Sequence, residues 1–155
     1  MRTVVPNADQ FEEGDYLDAP ELRDLANKLM AQDADLQWLA TVEITYLWKK
    51  KGGKNRGRIR LAQVQKTPKL MRHFVTTEFV IWAAAEELTG LAISSVQLER
   101  IVFHELCHFH RDEESGKAQI FGHDLEYFYR ELDRYGLAVI EGRSPQENTE
   151  GGLSD

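Results

Sequence analysis

Three of the chain's five histidines stand within seven positions of "IVFHELCHFH", residues 101–110, with a glutamate and the sole cysteine between them. His104, Glu105 and His108 fit the spacing H-E-x-x-H. On an α-helix, positions four apart differ by about 40° and lie one turn apart, so two imidazoles so placed can grip one metal ion. Glu105 lies about 100° round from His104, near enough to reach a water on that ion without becoming a ligand. The chemistry this predicts is metal-assisted hydrolysis. His104 and His108 hold one zinc ion; Glu105 takes a proton from the zinc-bound water, whose pKa falls to about 7, and passes it to the leaving amine. The competing expectation is an inert core helix with hydrogen-bonded histidines. A glutamate flanked by two histidines in an otherwise apolar helix is costly unless a metal or hydrogen bonds satisfy it, which favours the metal.

A catalytic zinc takes three protein ligands and keeps a fourth position open. The downstream candidates for the third are His123, Asp124, Glu126 and the carboxylates of Asp112, Glu113 and Glu114. His123 is favoured because "GHD" sets an imidazole at the start of a further helix, after a loop long enough to turn that helix back. Asp124 is its rival, but as the natural N-cap its oxygens are already engaged. His110 lies about 200° from His108 on the helix wheel and is expected on the surface or behind the ligands. Cys107 reads as a small core residue, and His73 has no visible partner. Tyr127, Tyr129 and Tyr135 could donate to an oxyanion, a role that competes with ordinary core or rim packing.

These residues need elements to hold them. Pro20, Leu22, Leu25, Ala26 and Leu29 predict a first helix, and Leu36, Leu39, Ala40, Ile44, Leu47 and Trp48 predict a second over residues 33–50. Gly52 and Gly53 break that pattern. "RIRLAQVQK" and "HFVTTEFVIWAAA" predict two strands, the second supplying an edge over residues 74–82 that could hold an extended substrate by backbone pairing. Ser94 or Ser95 caps the helix that bears the histidines, whose apolar residues lie nearly all round it, the mark of a buried helix. A polar loop, "RDEESGKAQIFG", leads to a last helix begun by Asp124, carrying Leu125, Phe128, Tyr129 and Leu132, and ended by Gly136.

The chain of 155 residues, 42% hydrophobic, has room for one core. Residues 1–19 read as a mobile arm or an edge segment, residues 20–143 as the domain, and residues 144–155 as a disordered tail. One cysteine cannot form an internal disulfide, which suits a reducing compartment, and the N-terminus shows no apolar export segment, so cytoplasm is the expectation. The longest apolar run, residues 79–85, is far too short to cross a membrane. A net charge of −7 argues against a protein that coats nucleic acid. Positive charge is nonetheless concentrated in "KKKGGKNRGRIR", opened by Lys49 and closed by Arg60, with seven of the nineteen basic residues. That run reads as a solvated turn, or as a patch for an acidic protein, nucleic acid or substrate, although without aromatics to stack on bases.

"HELCH", a loop and "GHDLEYF" together resemble the H-E-x-x-H motif and following histidine of SprT-like and Spartan-type zinc metallopeptidases. That resemblance implies His123 as third ligand. Over residues 22–137 the order of features is similar to the putative phage metallopeptidase family: paired-helix start, Gly- and Lys-rich turn, two strands, "HELCH", then "GHDLEYFYRELDRYG". It implies a compact zincin-like α+β domain with a small sheet beside the active-site helix, a phage or prophage origin, and a peptide or protein substrate. The chain differs from SprT-like proteins in lacking a cysteine-rich zinc ribbon and in being acidic, which argues against DNA-linked proteolysis. Two other functions compete: a binding protein that uses zinc only as structural glue and contacts a host protein or nucleic acid, and a cell-wall peptide amidase. The amidase would need a route out of the cell.

Overall fold

A computed structural model describes residues 4–12, 14–55 and 58–121. His123, Asp124, Glu126, the three tyrosines, the expected last helix and the tail at 144–155 lie outside the described residues. In chain order the elements are β1 (Tyr16–Asp18), α1 (Pro20–Gln32), β2 (Ile44–Lys49), β3 (Lys54–Asn55), β4 (Arg58–Ile59) and β5 (Ala62–Lys66). There follow α2 (Lys69–Arg72), β6 (Phe79–Ala84), α3 (Ala85–Gly90), α4 (Ser95–Leu106), β7 (Phe109–Arg111) and β8 (Ala118–Ile120). The fold is mixed α+β, as the sequence led us to expect.

One four-stranded sheet, ordered β1-β2-β6-β5, forms the frame. β2 and β6 run parallel, pairing Ile44 with Phe79 through to Lys49 with Ala84, while β1 and β5 run antiparallel to their neighbours. Against this sheet α1 packs on β2, α4 packs on β5, and the two helices pack on each other. The shared core holds Leu22, Ala26 and Leu29 of α1, Tyr46 and Trp48 of β2, Phe79 and Ile81 of β6, and Leu98, Val102, Phe103 and Leu106 of α4. Burial of each large apolar side chain is worth about 1.5–3 kcal/mol, so this core fixes where α4 lies relative to β5. Burial also pushes the Tyr46 hydroxyl well above the usual phenol range. No described helix is long and apolar enough to cross a membrane.

Three expectations change. Residues 33–50 are not one helix: a 3-10 turn at Gln37–Thr41 gives way to β2. Ile44, Leu47 and Trp48 fit a helical stripe, but Tyr46 and Trp48 fit alternation equally, and the β-branched and aromatic content of "TVEITYLW" decides for the strand. The expected strand through residues 73–85 is confined to Phe79–Ala84; Phe74 and Val75 are exposed after α2, and α3 begins at Ala85. The expected edge at 74–82 is therefore no edge, because β6 is paired on both sides by β2 and β5. The open edges of the sheet are β1 and β5. At the N-terminus, the described part of 1–19 includes β1 as an edge segment and buries Phe11 in the core.

Candidate metal centre

α4 begins at a reciprocal cap. Ser94 Oγ accepts from the Gln97 backbone N–H at 3.2 Å, and Gln97 Oε1 accepts from the Ser94 N–H at 2.9 Å. Both bonds satisfy donors that a helix start leaves without partners. Lys28 Nζ reaches Glu99 Oε1 at 3.0 Å and ties α1 to the outer side of α4. The inner positions are buried through the last turn, where His104 is 1% and Glu105 2% exposed.

The helix ends between the two histidines. α4 stops at Leu106 with Cys107 as its C-cap, and His108 donates its backbone N–H to Glu105 at 3.2 Å, a tightened final turn. That turn preserves the stacking expected of positions four apart: the two imidazole rings lie 5.2 Å centre to centre at 78°. His104, Glu105 and His108 can each present one ligand atom within 4.8 Å of the others. Cys107 is buried as expected, and His110 is exposed with its ring 5.1 Å from Phe121.

What carries His108 is a hairpin that the sequence reading left as loop. β7 pairs with β8 from Phe109 opposite Ile120 to Arg111 opposite Ala118. Asp112 closes its turn: Oδ2 accepts from the Ser115 hydroxyl at 2.7 Å and from the Ser115 N–H at 3.0 Å. The Ser115 hydroxyl bond, then its N–H, holds the Asp112 carboxyl below the usual carboxylate range. At the other end the pairing extends one residue further. Phe121 donates its N–H to the His108 carbonyl at 2.8 Å, and His108 Nδ1 lies 2.7 Å from the Phe121 carbonyl oxygen. A carbonyl oxygen only accepts, so Nδ1 carries the proton and Nε2 presents its lone pair, the tautomer a metal ligand requires.

Beside these residues lies a groove of about 260 Å³, lined by Arg60, Ala62, Gln63, Val64, Glu105, His108, Ile120 and Phe121. One wall is therefore the edge strand β5 and the other the end of β8. A cavity of about 480 Å³ elsewhere, near Val4, Trp48 and Leu88, contains none of the three clustered residues. The basic run at 49–60 spans the end of β2, the small β3–β4 hairpin and the entry to β5. Lys49 Nζ lies 4.5 Å above the Trp82 ring, Lys51 Nζ is 4.0 Å from Glu86 Oε1, and Arg60 closes the run inside the groove. His73 follows α2 and packs edge-on against Phe74.

The structure thus brings together His104, Glu105 and His108. Sequence reasoning missed Arg60 as part of the site, although it stands two residues before a recognisable strand. It also missed the Phe121 carbonyl, a backbone atom for which no side-chain pattern exists. Two imidazoles, one with its far nitrogen hydrogen-bonded to a carbonyl, and a carboxylate in one buried cluster can hold a divalent metal ion next to an open groove. The family model described as "Putative phage metallopeptidase" matches residues 14–148. No curated protein and no solved structure matches the chain.

Proposed function

The chain belongs to this phage metallopeptidase family, and from that premise we propose that it hydrolyses peptide bonds with one zinc ion held by His104, His108 and His123 and with Glu105 as general base. The observation that carries the reading is the clustering of His104, Glu105 and His108 within 4.8 Å, next to a groove walled by an open strand edge. The donor types suit zinc, and when bound it supplies a Lewis acid that polarises the scissile carbonyl and makes water nucleophilic near neutral pH.

The protein's own residues do the rest. The Phe121 carbonyl holds the His108 ring in the tautomer that leaves Nε2 for the metal. A substrate strand lies along the free edge of β5, so that its backbone pairs with Ala62–Lys66 and its scissile bond passes Glu105. Glu105 accepts a proton from the attacking water as the new carbon–oxygen bond forms. It returns that proton to the amide nitrogen as the carbon–nitrogen bond breaks, leaving a carboxylic acid and an amine. Burial of Glu105 keeps bulk water from competing for the transferred proton. We assign this work to the cytoplasm of a bacterium or a phage-infected host cell, in keeping with a lone buried cysteine.

Metal content by elemental mass spectrometry, paired with hydrolysis of a quenched-fluorescent peptide library, tests the proposal. We expect near one zinc per chain, lost in His104→Ala, His108→Ala and His123→Ala and kept in Asp124→Ala. Glu105→Gln should keep its zinc while hydrolysis falls about 10²–10⁴-fold. A Glu105→Gln protein as active as the wild type would refute the general base. A zinc-loaded wild type that cleaves nothing would favour a binding protein with a structural metal.

A further inference from the structure

We propose that Arg60 binds a carboxylate side chain of the substrate, so that peptides bearing an acidic residue beside the scissile bond are the preferred class. This rests on the peptidase reading above. Arg60 lines the same groove as Glu105 and His108, and its other lining residues are apolar or neutral apart from Glu105 and His108 themselves. It therefore contributes the one permanent positive charge among the described lining residues.

The arginine is held, but its charge is not spent. Its backbone N–H donates to the Gly53 carbonyl at 3.0 Å, and its carbonyl lies so close to Gly52 that a side chain there would collide with it. Gly52 and Gly53 in turn donate their N–H groups to Glu87 Oε2 at 2.8 and 3.0 Å, which anchors the loop to α3 and occupies that oxygen. The Arg60 Nε is buried and has no hydrogen-bond partner, and Arg60 forms no ion pair with any described residue. A buried donor on a cation is costly while it remains unsatisfied. A carboxylate offers the matching acceptor, taking Nε and one terminal nitrogen together in the planar two-bond arrangement that guanidinium favours.

Position makes the ligand part of a peptide. Arg60 stands two residues before β5, so an extended chain paired along Ala62–Lys66 passes it on the way to Glu105. Lys49 and Lys51, by contrast, lie against Trp82 and Glu86.

The test uses zinc-loaded Glu105→Gln protein as a non-cleaving trap and fluorescein-labelled hexapeptides in which a single glutamate, or glutamine in its place, is moved along the sequence. Fluorescence anisotropy should show, at one position, glutamate binding about tenfold or more tighter than glutamine. Adding Arg60→Gln should erase that difference, and Arg60→Glu should shift the preference at that position to lysine. The comparison of peptides needs no change at Arg60, so a variant that folds poorly does not decide it. Equal binding of the two peptides overturns the inference, as does an Arg60→Gln protein that weakens every peptide alike, the signature of a structural or oxyanion role. Cleavage of a proteome-derived peptide mixture by the wild type scores the peptidase reading separately: hydrolysis without an acidic preference would sink only Arg60. An acidic preference in binding, with no hydrolysis, would sink only the peptidase.

Discussion

Alanine at position 52 should cost far more than alanine at position 53, although both replace a glycine in one turn. A Cβ on residue 52 would lie 2.0 Å from the Arg60 carbonyl oxygen, 2.8 Å from Ala84 Cβ and 3.1 Å from the Arg60 carbonyl carbon. Two of those atoms are backbone and cannot rotate away. Relief requires moving residue 60 away from the start of β6's helical exit, which strains the Ala84 N–H to Leu61 carbonyl bond at 2.8 Å and the paired amide contacts on Glu87. Overpacking of this kind costs about 1–3 kcal/mol, and weakening bonds to a carboxylate adds about 1.5–3 kcal/mol. We therefore expect Gly52→Ala to lose about 3–5 kcal/mol, or roughly 10–20 °C in Tm for a domain of this size. Gly53 differs in kind: its φ is +75°, and the nearest atom to an added Cβ is an Arg60 terminal nitrogen at 3.8 Å. Gly53→Ala meets only left-handed backbone strain, about 1 kcal/mol, and Gly53→Asn less still. Urea unfolding followed by tryptophan fluorescence measures all three. A Gly52→Ala protein within about 1 kcal/mol of the wild type, or less affected than Gly53→Ala, would refute the packing argument.

Ser94→Ala removes the side-chain half of the reciprocal cap on α4 and should destabilise the domain by about 1 kcal/mol, with Ser94→Asp close to neutral; a change below about 0.3 kcal/mol in urea unfolding would mean the cap contributes little. Asp112 has a pH signature. Because its folded pKa is depressed, its stabilising effect is fully present above the ordinary carboxylate pKa of about 3.9 and is lost as pH falls through the lower folded value. Hydrogen-exchange protection of residues 109–120, corrected for intrinsic rates, should fall in acid for the wild type. In Asp112→Asn, which can still accept from Ser115 but cannot titrate, that fall should be smaller. An identical acid response in both would assign it to other groups.

How much of this was legible in the sequence differs from residue to residue. The capping of α4 was, because Ser94 followed three residues later by Gln97 is a local device read without tertiary context. The pairing of His104 with His108 was legible for the same reason, since the spacing alone implies the stacking. β2 was misread because Ile44, Leu47 and Trp48 satisfy two periodicities at once, and the choice is made by pairing with β6, over thirty residues away in the chain. The β7–β8 hairpin escaped because each strand has only three residues, too few for a pattern to emerge from "FHRDEESGKAQI". Arg60 was visible only as one charge in a basic run; its place in the groove depends on the fit between Gly52 and Arg60, a contact that no composition encodes.

An open strand edge does not distinguish between a substrate and a second copy of the same protein. β5 offers a row of backbone donors and acceptors to anything extended, the condition that elsewhere leads to sheet-to-sheet growth and precipitation. Here the edge is only five residues long and ends at the exposed Lys66, both ordinary deterrents to accretion. Mutual repulsion between copies carrying a net charge of −7 is a third. That repulsion vanishes near the isoelectric point of about 5.3, so solubility and an unblocked edge should fail together in mild acid. On this view the acidity of the chain protects the availability of its own edge.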